Sequence, residues 1–171
     1  MHIEEKEEKI TVQDIAARAE VNRTTFYKHF NDKYELLNYS VHKMFQERLE
    51  HKIPDVPTFN LNHLRLLTLT VCEFLGEFIG HCAPSSQNND QAIMVLQVRA
   101  TLYDVVLAWV KESARHRLPS NLSPEAVAKV TSWAIFGVVM EWSQHGRKQT
   151  PDQLTEEVLS LLVGGLKPYL L

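Results

Sequence analysis

The sequence predicts an all-α fold in two parts, and three observations lead there. Apolar residues recur at helical spacing through most of the 171 residues. No run of alternating β-branched residues bounded by glycine-rich turns is long enough to demand a sheet. Pro54-Asp55-Val56-Pro57 then breaks the periodicity, because two prolines so close cannot continue a helix. The expected division is a head over residues 1–52 and a helical body over residues 53–171.

Thr11 and Asp14 have capping-box spacing, with Asp in place of the usual Glu, and open a short helix through Ile15, Ala16 and Ala19 that ends near Glu20. Asn22 stands where a second N-cap belongs, and Thr25, Phe26 and Phe30 follow in a helix ending near Asn31. Asp32 with Glu35 repeats the box spacing and starts a longer connecting helix, about Lys33 to His51, in which Leu37, Val41, Met44 and Phe45 share a face. Beyond the prolines, Leu64, Leu67, Val71, Phe74, Phe78 and Cys82 mark one helix, and Pro84 to Asp90 reads as a loop. The stretch from Gln91 to Arg115 carries Ile93, Leu96, Ala100, Tyr103, Leu107 and Val110 on one face. Val95, Leu102, Val106 and Trp109 form a second, which predicts a helix buried in the middle of the body. Ser123-Pro124 and Thr150-Pro151 each place a capping residue before a proline at the first helical position. The helix from Pro124 should end near His145-Gly146, and the last carries Leu154, Val158, Leu161 and Leu162.

Composition narrows the class. A hydrophobic fraction of 44% and a charged fraction of 23% are those of an ordinary globular protein. The longest apolar run, Trp133 to Met140, is far short of the ~20 residues a membrane span needs. The polar, acidic stretch from Met1 to Lys9 is no signal peptide, so a cytoplasmic location is expected. A net charge of −3 argues against a broadly basic nucleic-acid coat, although a small reader can keep its positive charge local. Cys72 and Cys82 are expected as reduced core residues, and together with His81 they lack ligand spacing. Without GxSxG, a phosphate-cradling glycine loop, HExxH or paired CxxC, neither an enzyme nor a cofactor or metal site is expected. Glu141, the acid in the apolar stretch, is expected to face solvent rather than an effector.

The informative segment is Ile10 to Leu37, where a short scaffold helix, a tight turn and a second helix with polar residues at its exposed end form an arrangement that fits a major groove. Three stretches, Thr11-Val-Gln-Asp-Ile-Ala, Val21-Asn-Arg-Thr-Thr-Phe-Tyr-Lys-His-Phe and Asp32-Lys-Tyr-Glu-Leu-Leu, resemble the DNA-binding head of the TetR family of repressors. The resemblance implies a homodimeric transcriptional regulator on a palindromic operator, whose affinity an effector modulates through the connecting helix. Arg23 and Thr24 occupy the first turn of the recognition helix, where side chains reach base edges, and arginine's donor fork suits guanine. Thr25, Tyr27, Lys28, His29 and Lys33 match family positions that mostly contact phosphate, Tyr27 and Lys28 sometimes reaching bases. Lys33 also begins a helix, whose amides attract phosphate. Ile15, Ala16, Val21, Phe26 and Phe30 should form the head's core. Two departures stand out: Glu20 replaces the family's turn glycine, and the family's first helix is here reduced to Met1 to Lys9, with Ile3 as its good apolar residue.

Over the body the resemblance is architectural. The last two helices are expected to pair two subunits, because Trp133 to Met140 is apolar on every side and Ala134 and Gly137 allow close approach. Phe74, Phe78, Met94, Tyr103 and Trp133 are the candidate effector-pocket residues, with ordinary core packing as the competing reading for each. The alternative function is a dimeric helical ligand- or protein-sensing module that has lost DNA binding through truncation of its first helix. A motif-free small helical enzyme is the remote third.

Overall fold

The computed structural model describes residues 10–53, 58–81, 90–117 and 122–164. Among them are seven α-helices and no strand: α1 (Val12–Arg18), α2 (Arg23–His29), α3 (Lys33–Lys52), α4 (Leu61–His81), α5 (Asp90–Arg117), α6 (Pro124–Gln144) and α7 (Pro151–Gly164). No described helix is long and apolar enough to cross a membrane.

Local chemistry sets the starts of these helices. Thr11 and Asp14 close a reciprocal capping box at α1, Asn22 caps α2, and Ser123 caps α6 ahead of Pro124. At α7, Thr150 Oγ1 accepts from the Gln153 amide at 3.2 Å while Gln153 Oε1 accepts from the Thr150 amide at 3.0 Å, a second complete box. The box expected at α3 is displaced by one residue. Asp32 accepts from the amides of Tyr34 and Glu35, but the Glu35 carboxylate takes the Asn31 amide, at 2.6 Å, instead of that of Asp32.

In the body, α5 packs along α3 and α6, and α4 packs against α3, α6 and α7. The expectation of α5 as a helix buried in the middle of the body on two apolar faces is corrected for one of them: Val98, Leu102, Val106, Trp109 and Val110 are buried, whereas Leu96 is 58% exposed and Tyr103 and Leu107 are half-buried. Two apolar arcs on one helix need partners on both sides, and α3 and α6 cover only one continuous strip. Likewise, α3 buries Val41, Phe45 and Leu49 against α4 and α5 but leaves Met44 exposed. Arg48 pairs with Glu77, Lys52 with Glu73, and Arg65 with Glu156. Exposed pairs of this kind contribute roughly 0.2–1 kcal/mol each, so the buried apolar side chains dominate the packing. Buried Cys72 lies in this core, and desolvation pushes its thiol up to about 12, leaving it inert. Cys82 lies outside the described residues.

Candidate nucleic-acid interface

The turn between α1 and α2 is closed by backbone bonds from Glu20 N–H to the Ala17 carbonyl (3.2 Å) and from Val21 N–H to the Ala16 carbonyl (3.0 Å). Glu20 adopts φ +55°, the left-handed region in which glycine is the unstrained residue. Ala16 and Phe26 are buried between the two helices, with Ile15 and Phe30 half-buried beside them, and Phe30 continues onto Tyr39 of α3 with ring centroids 5.7 Å apart. Val21, expected in this core, is 41% exposed, because the left-handed turn directs the chain outward there.

At ~100° per residue, Arg23, Thr24, Tyr27 and Lys28 fall within one arc of α2, and all four are exposed. Tyr27 leaves 55% of its surface in solvent while its ring stands edge-on to Phe26 at 5.4 Å. Thr25 and His29 lie on the next flank; the Thr25 hydroxyl donates to the Asn22 cap at 3.0 Å, and His29 sits 6.5 Å from the Phe30 ring. Lys33 is half-buried, its amine donating to the Ile10 carbonyl at 3.2 Å and lying 5.1 Å from the Tyr34 ring centroid. It therefore also ties the start of α3 to the chain ahead of α1. The hydroxyl and backbone amide of Thr11 hold the Asp14 carboxyl below the usual carboxylate range, with a smaller contribution from Arg23.

One residue of this surface was not among the candidates. Gln13 on α1 accepts a hydrogen bond from the Arg23 guanidinium. The usable signal was its place at the start of the scaffold helix, which a tight turn brings beside the start of the recognition helix.

Three surface concavities accompany the head and body. One of about 590 Å³ lies along α1 and is lined by Ile10, Asp14, Ile15, Arg18 and Ala19. Another, about 820 Å³, runs between α6 and α7 over Val130, Ala134, Val138, Trp142, Val158 and Leu161, with Glu141 at its edge. The third, about 620 Å³, lies between α4 and α7 at Leu61, Arg65, Leu159 and Val163. Of the candidate effector residues, Phe74, Tyr103 and Trp133 do not line these three. Phe74 is fully buried, its ring 5.2 Å from Phe45 and beneath Arg48. Tyr103 is half-buried, and Trp133 is 52% exposed beneath the Arg99 guanidinium. The side chains of Phe78 and Met94 lie outside the described residues. No group of three metal-ligating side chains occurs among the described residues.

Residues 8–39 match the family model for bacterial regulatory proteins of the tetR family. The fold is similar to that of the transcriptional regulator FadR from Bacillus subtilis, solved in complex with stearoyl-CoA, at 19% identity and a TM-score of 0.59, covering 91% of this chain and 88% of that one. The fatty acid degradation regulator FadR from Bacillus halodurans gives 18% and 0.60, covering 93% and 86%. A TetR/AcrR-family regulator from Thermobifida fusca gives 18% and 0.50, covering 91% and 86%. No curated protein matches the chain significantly.

Proposed function

We propose, from the premise of a TetR-family helix-turn-helix head carried on a body of the regulator fold, that the protein is a homodimeric transcriptional repressor whose operator affinity an effector controls. The observation that carries this reading is the exposed arc of Arg23, Thr24, Tyr27 and Lys28 on a short helix held by its own cap and by Phe26. Such an arc can enter a major groove while α1 crosses the backbone. Arg23 and Thr24 then meet base edges; Lys28, His29, Thr25 and Lys33 meet phosphates, and Tyr27 reaches either. Thr25 would do so with its backbone already fixed by Asn22.

The apolar groove between α6 and α7 supports the second half of the reading. Val130 is 65% exposed, and Trp133, Val138 and Leu161 are exposed beside it. Gly137 opens onto empty space, so a second copy's helix can approach its backbone closely. Two heads joined this way match the two-fold symmetry of a palindromic operator. A reader of chromosomal DNA works where the genome lies, in keeping with the cytoplasmic location expected above. For the effector, long-chain acyl-CoA is the class to test first, because the FadR structure of similar fold was solved with stearoyl-CoA.

The concavity along α1, lined by Ile15 and Ala19, favours the second reading, a sensing module without DNA binding. An electrophoretic mobility shift with DNA from upstream of the chain's own gene separates the two. A shifted band that competitor DNA of unrelated sequence does not remove is the expected result, and its absence leaves the sensing module.

A further inference from the structure

We propose that Gln13 is a positioning residue that sets Arg23 for base reading, so that a side chain of the scaffold helix and one of the recognition helix act as a single reading unit. This deepens the DNA-reading function above and rests on it. The backbone around both residues is fixed. Next to Gln13, Asp14 is engaged by the Thr11 amide at 2.8 Å and by the Thr11 hydroxyl, which locks the first turn of α1. The bonds across Glu20 close the turn, and the Asn22 carboxamide holds the Thr25 amide at 2.7 Å one turn into α2. Across this frame the Gln13 Oε1 accepts from an Arg23 Nη, ten positions away in sequence, although both side chains are exposed.

An unrestrained arginine at the surface samples many rotamers and loses that freedom when it docks. A bond at one Nη removes part of the freedom beforehand. Since the guanidinium carries five N–H donors, it still presents a two-donor edge, the set that pairs with O6 and N7 of guanine. The same bond restricts Gln13 itself. Bidentate recognition of adenine needs both the oxygen and the amide nitrogen of glutamine in the plane of the base, and here the bond to Arg23 takes one lone pair of the oxygen and turns the carboxamide toward the guanidinium. The unit therefore faces the groove chiefly with N–H donors, those of the guanidinium edge and of the Gln13 amide, which suits the acceptor-rich edge of guanine.

The test uses the full chain and a randomised duplex library, followed by affinities for the selected duplex and its single-base variants. Wild type is expected to select one guanine per half-site that Arg23→Ala no longer distinguishes. Gln13→Ala should lose discrimination at that same base, by roughly tenfold within the range one bidentate pair supplies. The double variant should be no worse than Arg23→Ala alone. Gln13→Glu retains the acceptor, so it should keep the guanine preference while its charge weakens binding to every sequence alike. Thermal midpoints of the variants check that each is folded. The proposal is overturned if Gln13→Ala discriminates like wild type, if it changes preference only at a different base, or if the two losses add. Selection of no sequence by wild type would instead overturn DNA reading as a whole.

Discussion

Arg23 and Lys28 leave the same arc of α2 and should nevertheless fail differently. Loss of a bidentate base contact costs about 1–3 kcal/mol at the preferred sequence and flattens base preference, so that is the expected effect of Arg23→Ala. Lys28→Ala should weaken all sequences similarly and lower the salt slope by about one ion, which titrations at several salt concentrations read directly. Asp14 gives a pH dependence. Its carboxyl is held below the usual range in the folded head, so the cap stabilises α1 fully above that range and the contribution is lost as pH falls through the lowered value. Acid titration of helicity should therefore show a component that Asp14→Asn removes. Caps such as Thr11, Asn22 and Ser123 were legible in the sequence because they join residues three apart. The Gln13–Arg23 bond was not, because it depends on how tightly the chain turns at Glu20.

At the scale of elements, Gly137→Glu on α6 separates folding from association. A Cβ there meets no neighbouring atom within 4 Å, and replacing a helical glycine raises helix propensity, so the monomer should stay folded. A charge in a close helix pair should abolish the dimer, and sedimentation of an unchanged dimer would remove this face from consideration. The head offers a second expectation. Helices of seven residues are marginal alone, and α1 and α2 bury only Ala16 and Phe26, whereas α5 is anchored by Val98, Leu102 and Val106. Amides from Val12 to Phe30 should exchange faster than those from Leu96 to Leu107; equal protection would show the head to be as firmly held as the core. Helix positions were legible to within a few residues because caps and prolines are local signals. Which arc is buried was not, as exposed Leu96 and Met44 show, since periodicity cannot say where the neighbouring helix lies.

For the whole molecule, an effector that lowers operator affinity must itself bind the DNA-bound form less tightly by the same factor. The helix-turn-helix head was readable from ordered local pattern, and the all-helical body from periodicity. Which side chains can line an effector pocket is a tertiary property that aromatic type does not carry: Phe74 closes the α3–α4 contact, while Trp133 faces outward. The placement of the tryptophans has a spectroscopic consequence. Trp109 is buried beside His63, Trp142 donates its indole N–H to the Gln149 carbonyl at 2.9 Å, and Trp133 is half in water at the edge of the proposed subunit contact. Three indoles in three surroundings make the intrinsic emission a sum of overlapping bands, to which half-exposed Trp133 and partly buried Trp142 contribute the redder part. Dilution through the dimer dissociation range should therefore shift the summed emission to the red in wild type and by less in a Trp133→Phe variant, in which Trp142 remains at the contact, so that the protein reports its own assembly without a label.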